Sequence, residues 1–542
     1  MPKQKPPVEK NDDIQLVIDT LGTEGQGIGR LHGYAVFVPG ALPGETVRAH
    51  IIKAGASFGV GKLICVEEPA KERVMPPCPL NGICGGCTLQ HVGYTAQLVH
   101  KRRVVEDALK RIGGVIDANV LPTLGMEEPF YYRNKASFPF AEVDGKVEVG
   151  FFAPRSHRVV RVEDCLIQKT DVMLAALVVA AWASEHTISV YDEQSGKGVL
   201  RHVSVRSGST GELMVTIVAT REPKHTSALI ERLRERLPAL KSVYLNINSQ
   251  AGNRIQGPVY RLLFGEPRIL ERIENLDFYA GPASFLQVNH LQAARLYTLA
   301  CDALNLQSED CVVDAYCGIG TISLLMAKRA SAVVGIENVP QAVEDARENA
   351  VRNGISNARF LCAPAEEALP KLLLEGFQPN AVVLDPPRKG ADAAFLEALI
   401  KSGVEKIVYV SCDPATLARD CKILIAGGYR LDYAQPVDMF PHTTHVETVV
   451  LLSRKAPNDV IHIDLELDEM DVTAAEAKAT YQEIKDYVLD KYGFKVSQLY
   501  IAQVKRKHGI IERENYNKPK SEDAKVPQCP PEKETAIIEA LK

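Results

Sequence analysis

Three things are scarce in this chain of 542 residues: net charge, apolar runs of membrane length, and an apolar leader. Lys and Arg number 63 against 68 Asp and Glu, a net charge of −5, so there is no global basic signature and a nucleic-acid surface has to be a local patch. The run that comes nearest to spanning a bilayer, Val172 to Ala183, is too short and is flanked by Asp171 and Glu185; no membrane association is expected. The start, Met1 to Asp13, is polar and rich in Pro and Lys, without the apolar segment of a secretory signal, so a cytoplasmic location is the expectation. There the 12 cysteines are poor candidates for structural disulfides, and those that cluster point to metal ligation or catalysis. What the chain does have is 46% hydrophobic content, enough for large cores in three or four domains.

Residues 14–70 alternate apolar and polar positions between Gly-rich turns, the pattern of several short strands closing into a small β-barrel. This stretch resembles the TRAM domain, an OB-like RNA-binding module; a purely structural barrel is the alternative. Next, Cys78, Cys84 and Cys87 are spaced C-x5-C-x2-C in a Gly-rich loop whose turns let thiolates converge on one centre, and Cys165, beside charged turn residues, is the candidate fourth ligand. Four thiolates suit an iron–sulfur cluster or a tetrahedral zinc site. The helical spacing from Tyr94 to Ile112, ended by Gly113-Gly114, presents a polar face with His100, Lys101, Arg102, Arg103, Lys110 and Arg111. A mixed α/β stretch follows, with strands at Val147 to Phe152 and Leu213 to Ala219 and a helix at Val172 to Ala183. It carries Arg133, Lys135, Arg155, His157, Arg158 and Arg161 among Tyr131, Tyr132, Phe138, Phe140, Phe151 and Phe152. Cations for phosphates interleaved with rings for unstacked bases suit RNA, although some of these rings have to be core.

From Ser284 onward strands and helices alternate as in a doubly wound parallel sheet. Asp314-Ala315-Tyr316-Cys317-Gly318-Ile319-Gly320-Thr321 follows the first strand and Glu337 ends the second: glycines admit a ligand close to the backbone and an acid accepts from ribose hydroxyls. D-x-x-C-G-x-G-T is not dinucleotide spacing and resembles the S-adenosylmethionine-dependent methyltransferase variant. Downstream, Asp385-Pro386-Pro387-Arg388-Lys389-Gly390 ends a buried strand, Ser411-Cys412-Asp413-Pro414 follows another, and Met439 to Glu447 adds two histidines and a carboxylate. The set D-x-x-C-G-x-G-T, D-P-P-R-x-G, S-C-D-P-x-T-L-x-R-D and H-T-x-H-V-E resembles the RNA uracil-5-methyltransferase family. With the barrel and C-x5-C-x2-C it is similar to the 23S ribosomal RNA branch of the RumA, RlmD and RlmCD type.

That resemblance, over about Ile14 to Arg454, implies an α/β, Rossmann-like class I methyltransferase domain with an N-terminal OB-like barrel (TRAM) and an α+β central domain with the cysteine cluster; the tail beyond Lys455 is unlike the family, and its own spacing predicts a mainly helical C-terminal extension. The expected boundaries are a flexible 1–13, the barrel at 14–70, the central domain at 71–90 and 126–282, the methyltransferase domain at 91–125 and 283–456, helices at 457–514 and a mostly flexible 515–542. The implied activity is methyl transfer from adenosylmethionine to C5 of a uridine in 23S rRNA, with tRNA as the rival substrate and a non-catalytic RNA-binding factor as the rival class. Uracil C5 is a poor nucleophile, so a thiolate must first add to C6; Cys412 takes that role and Glu447 is the base that removes the C5 proton. A carboxylate paired with His442 or His445 is the structural alternative for Glu447. Gln287, in Phe285-Leu286-Gln287-Val288-Asn289, with Tyr316, Glu337 and Asp385, would complete the cofactor site, and Cys78, Cys84, Cys87 and Cys165 would hold a 4Fe-4S cluster, with zinc as the alternative. Pro364 departs from the family, lacking a donor where relatives often have a polar residue before A-E-E, which puts adenine contacts there in question. The target base has to leave its stack to reach Cys412. A monomer is expected. Radical enzymes need C-x3-C-x2-C on a barrel, where this chain has C-x5-C-x2-C beside a doubly wound pattern, and cytosine-5 DNA enzymes use a Pro-Cys nucleophile, a context that differs from Ser411-Cys412-Asp413. Beyond Lys455 an acidic run, Asp459 to Asp490, precedes Lys505-Arg506-Lys507, and helical spacing over Tyr481 to Tyr492 and Ser497 to His508 permits a helix-turn-helix reading.

Overall fold

The computed structural model describes residues 6–252, 254–455, 481–492 and 496–507, with 529, 530, 532–534 and 537. Five strands, β1 (Asp13–Leu21), β2 (Gln26–Leu31), β3 (Tyr34–Pro39), β4 (Thr46–Ala54) and β5 (Phe58–Glu68), close in the order β1-β2-β3-β5-β4. Period-two burial puts Leu16, Ile18, Val36, Val38, Val47, Ala49 and Ile51 inside. A Cβ on Gly29 would stand 2.7 Å from Leu16 Cγ, so glycine is required where β1 and β2 close up. Val8 is buried in the same core, so the expected flexibility of 1–13 does not hold for residues 6–13.

After α1 (Tyr94–Arg111) the central domain builds a seven-stranded sheet from β6 (Lys135–Val143), β7 (Lys146–Phe152), β8 (Val159–Arg161), β9 (Leu200–Ser207), β10 (Leu213–Ala219), β11 (Leu240–Ile247) and β12 (Val259–Gly265). Two helices, α2 (Thr170–Glu185) and α3 (Thr226–Arg236), pack on it. The apolar helix read from the sequence is therefore the core of this domain, with Trp182 fully buried. Phe138, Phe140 and Tyr132 are buried too, which removes them from the RNA-facing set, whereas Phe152 and Tyr131 are exposed. The hairpin β13 (Ile269–Ile273) and β14 (Leu276–Ala280) belongs to the next domain, contrary to the boundary expected at 282: Ile273, Leu276 and Phe278 sit in its core, and Asn349 and Asn353 accept from the Tyr279 and Asp277 N–H groups at 3.0 and 2.9 Å.

That domain alternates α4 (His290–Leu304), β15 (Cys311–Ala315), α5 (Thr321–Ala327), β16 (Ala332–Glu337), α6 (Pro340–Arg352), β17 (Ala358–Cys362), α7 (Ala365–Leu374), β18 (Ala381–Leu384), α8 (Ala393–Ser402), β19 (Lys406–Ser411), α9 (Pro414–Ala426), β20 (Tyr429–Val437) and β21 (Glu447–Arg454). The sheet order is β17-β16-β15-β18-β19-β21-β20, all parallel except β21, which runs antiparallel to β19 and β20. Strand order reverses at β15, and the crevice outside its carboxyl end is where an open sheet of this kind takes ligands. Residues 118–125 lie along β20, with Val120 and Leu124 bridged to Ala434 and Val437. Among the described residues no helix is long and apolar enough to cross a membrane.

The C-terminal unit, residues 459–542, has α10 (Tyr481–Tyr492) and α11 (Gln498–Lys507), joined by the buried Ile484, Val488, Val496, Ile501 and Val504. Ile537 is buried in the same cluster, so that position does not belong to the flexible tail expected over 515–542. The acidic stretch 459–480, the turn at 493–495 and residues 508–528 lie outside the described residues.

Candidate active site

Five of the six candidate site residues stand at one edge of the last sheet, and the topology says why. Tyr316 follows β15, Glu337 ends β16, Asp385 follows β18 and Cys412 follows β19. Because β21 is antiparallel to β19, with Ser411 paired to Thr448, its first residue, Glu447, arrives where Cys412 leaves. Gln287 comes from the segment before α4, where the Asn289 side chain accepts from Gln292 N–H. All six line one cavity of about 750 Å³.

Its cofactor end is built from backbone. Tyr316, Gly318 and Gly320 have φ of 66°, 55° and 85°, the turn needed to bring the loop back over the sheet. Gly318 and Val339 donate their N–H groups to the two Glu337 oxygens at 3.1 and 2.9 Å, which fixes the carboxylate with lone pairs left for ribose. Pro364 lines the same end at the N-cap of α7, where it offers no donor.

The reactive end is buried and acidic. Burial lifts Asp385 to about 7, and burial with the charge of Asp385 lifts Glu447 to about 8, against the opposing pull of Arg388. Cys412 is pushed to about 11 by burial and by Glu447 and Asp385, while Arg388 favours its thiolate by charge and hydrogen bond. Glu447 is 2% exposed and makes no ion pair with His442 or His445 among the described residues. His442 is occupied elsewhere: its ring stacks on Phe130 at 4.3 Å and its Nδ1 meets Gln97 Nε2 at 3.2 Å.

Cys78, Cys84, Cys87 and Cys165 line a second cavity, of about 480 Å³. Burial and then the charges of Cys165, Cys84 and Cys78 push the Cys87 thiol up to about 12, the mutual repulsion that a bound cation relieves. In donor chemistry the set fits a sulfur-ligated centre. Its spacing is looser than a site requires, for no three His, Cys, Asp or Glu side chains among the described residues are gathered closely enough to hold a metal ion.

Comparison with known proteins decides the family. The description tRNA (Uracil-5-)-methyltransferase matches residues 93–455, and the TRAM domain matches residues 7–64. An uncharacterized RNA methyltransferase of Halalkalibacterium halodurans is 43% identical over 457 residues, covering 84% of this chain and 100% of its own. One of Clostridium tetani is 43% identical over 454 residues, covering 83% of this chain and 98% of its own. Among solved structures, the Pyrococcus abyssi tRNA (uracil-54, C5)-methyltransferase in complex with S-adenosyl-L-homocysteine is 30% identical with a TM-score of 0.65, covering 81% of this chain and 99% of that one.

The chain belongs to the RNA uracil-5-methyltransferase family. It is an enzyme that uses S-adenosylmethionine and acts on RNA. Several residues of this methyltransferase that shape the site went unread in the sequence. In S-C-D-P-x-T-L-x-R-D, Asp413 caps α9 by accepting from Ala415 and Thr416 N–H at 2.9 and 3.0 Å, which seats Cys412 at a helix N-terminus. One and two turns on, Thr416 donates to Arg388 O at 3.2 Å, Arg419 to Lys389 O at 2.9 Å, and Asp420 accepts from Ala391 N–H at 2.9 Å. The motif is thus a clamp on the 385–391 loop as well as the segment that carries Cys412. Lys101 corrects the reading of α1 as a polar face: it is fully buried, paired with the fully buried Asp438, and donates to Phe440 O at 3.0 Å. Tyr94 donates to Asp438 at 2.8 Å, so α1 anchors the segment that delivers Glu447. An i, i+7 tyrosine and lysine on an otherwise basic face was the only available signal.

Proposed function

We propose that the protein methylates C5 of a uridine in 23S ribosomal RNA through a covalent adduct between Cys412 and uracil C6. The observation that carries this is the convergence of Cys412 and Glu447, from the ends of antiparallel neighbours, in the cavity that also holds Glu337 and the glycine loop. Adenosylmethionine supplies an electrophilic methyl group when bound. As the thiol proton leaves, Cys412 Sγ adds to C6 and the ring's electron pair moves onto an enolate, helped by Arg388 and the α9 N-terminus. C5 then attacks the methyl carbon and adenosylhomocysteine departs. Glu447 takes the C5 proton, the C5–C6 double bond re-forms and Cys412 leaves as thiolate; the proton passes to solvent. Raised to about 8, Glu447 is a stronger base than an ordinary carboxylate, and about a tenth of it is ionised at pH 7, ready to accept the C5 proton. Gln287, 8% exposed, contributes an uncharged donor and acceptor to the uracil edge.

Ribosomal RNA is favoured by the TRAM barrel together with the four-cysteine cavity. Transfer RNA is the second reading, supported by the substrate in the name of the Pyrococcus abyssi enzyme. Incubation with labelled adenosylmethionine and each RNA, followed by mapping of 5-methyluridine, decides between them; label in tRNA alone overturns the ribosomal assignment. We further assign Cys78, Cys84, Cys87 and Cys165 to a 4Fe-4S cluster, zinc being the alternative, placed to brace the loop between barrel and central domain. Iron, sulfide and zinc assays on anaerobically purified protein and on Cys87→Ser test this. Metal-free protein of full activity refutes it.

A further inference from the structure

The central domain holds a cavity of about 670 Å³ that the reaction does not use. Its floor is rigid. Arg201, with a side chain 1% exposed, lies over the Tyr191 ring at 4.6 Å and donates to Gln250 O at 2.5 Å and Glu193 Oε1 at 2.6 Å. Beside it His202 is 8% exposed, and its Nδ1 has no hydrogen-bond partner among the described residues; neither has Arg201 Nε. Buried polar atoms of this kind are paired in nearly every folded protein, so an unpaired one lining a cavity points to a ligand. One wall is Phe152, 38% exposed, with His157 and His202 in T-shaped contact at 5.6 and 6.5 Å. At the mouth Arg158 and Arg254 are exposed and form no ion pair among the described residues, whereas the acids there are engaged: Asp192 accepts from Ser195 N–H at 2.8 Å and Glu193 holds Arg201.

Placement supports the chemistry. Ile255 lines both this cavity and the cysteine cavity, and Phe285 lines both the cysteine cavity and the reaction pocket, so the three follow one another along one face. Gly85 donates to Phe152 O at 2.9 Å, and a Cβ there would stand 2.8 Å from that oxygen, which locks the end of β7 against the cysteine loop. We propose that this cavity receives one unpaired nucleotide of the RNA substrate other than the methylated one, its base stacked on Phe152 and contacted by His202, its phosphates held by Arg158 and Arg254. Stacking and cations without a dedicated base-reading set are the means by which proteins hold single strands.

The inference rests on RNA being the substrate, and the parent protein's own activity tests that separately. Arg158→Ala/Arg254→Ala, both exposed positions, should raise KM for RNA about tenfold with kcat within twofold. It should also leave adenosylhomocysteine binding unchanged and reduce the salt slope of RNA binding by about 1.4, the loss of two single-strand phosphate contacts. Phe152→Leu should abolish a photo-crosslink between residue 152 and a nucleotide distinct from the target. A parent that methylates no RNA overturns both readings. An active parent with variants of unchanged KM and slope, or a crosslink at 152 that maps to the methylated uridine, overturns this one alone.

Discussion

Replacing Glu447 by Gln removes one ionisable group and nearly nothing else, so it separates what this carboxyl does for the reaction from what it does to the fold. In the unfolded chain the group ionises near 4.5; in the folded protein burial and Asp385 raise it to about 8. The folded state therefore binds more protons between those two values, and stability falls as pH rises through that window, levelling off above about 8. Carrying a carboxyl across that span costs the ionised form roughly 5 kcal/mol, of which relaxation around the charge recovers part, so a gain of about 2–4 kcal/mol is expected for Glu447→Gln at pH 8.5 and close to none at pH 4.5. Asp385, raised to about 7, leaves a residual slope in the variant. Thermal midpoints of both proteins across pH 5 to 9, without ligand, read this directly. Turnover should move the opposite way: methyl transfer onto the adduct needs no base but its resolution does, so kcat should fall about 10²–10⁴-fold while a denaturant-stable RNA–protein adduct accumulates through Cys412. A variant that turns over normally, or whose stability gain is the same at every pH, refutes the reasoning.

Lys101→Met leaves the Asp438 carboxylate buried without its cation and should cost about 3–5 kcal/mol, part of which Lys101→Met/Asp438→Asn returns; chemical denaturation of the two variants checks the pair. Glu337→Ala should weaken adenosylhomocysteine binding about 10–100-fold in calorimetry and Glu337→Gln less, because the amide keeps one acceptor for Gly318 or Val339. Gly335→Ala places a Cβ 2.5 Å from Phe360 Cδ1 and 2.9 Å from Cys317 Sγ, so it should cost about 1–3 kcal/mol and raise the cofactor Kd by displacing the glycine loop; unchanged thermal midpoints would exclude that contact. Affinity for adenosylmethionine, with its sulfonium, relative to adenosylhomocysteine, with its neutral sulfide, should grow by about tenfold or more between pH 6 and 9 as Asp385 and Glu447 ionise; a constant ratio would mean that the acids do not face the sulfonium.

The parallel sheet was legible because each of its strands is a short apolar run ended by a residue that cannot continue it: Glu337, Asp385-Pro386 and Cys412-Asp413-Pro414 all mark carboxyl ends, so the candidates could be placed at one edge before any coordinates. Strand-to-helix turns write their chemistry locally. The partners that hold those turns are nonlocal, and they were not readable. Lys101 belongs to an arginine- and lysine-rich helix face, where its i, i+7 spacing from Tyr94 is all that sets it apart from Arg102 or Arg103; Asp438, 337 residues away, makes it internal. The β13–β14 hairpin falls in the next domain for the same reason, since Phe278 looks like any strand aromatic until Asn349 on α6 and Asn353 at its C-cap are seen to hold the backbones of its neighbours Tyr279 and Asp277.

The geometry that makes the site visible also makes it costly. Parallel strands ending together deliver whatever follows each of them to one crevice, and here that crevice receives Asp385 after β18 and, through the reversed β21, Glu447, while Asp314 lies buried within β15. Asp314 is raised to about 7 by burial, with Ser323 donating to one oxygen at 2.5 Å and the other left without a partner. Nothing in the fold requires three carboxyls there, and hydrophobic replacements would pack such a position at lower cost. On the proposed mechanism such acids serve what the reaction brings in: a sulfonium charge, ribose hydroxyls and a ring whose proton must be taken. Arg388, whose charge opposes the upward shift of Glu447, also favours the Cys412 thiolate, so a single guanidinium ties Cys412 and Glu447 to one electrostatic balance. Displacing it should therefore disturb both halves of the chemistry together, which is the arrangement expected when the clamp on its loop is formed by the helix that begins at the nucleophile.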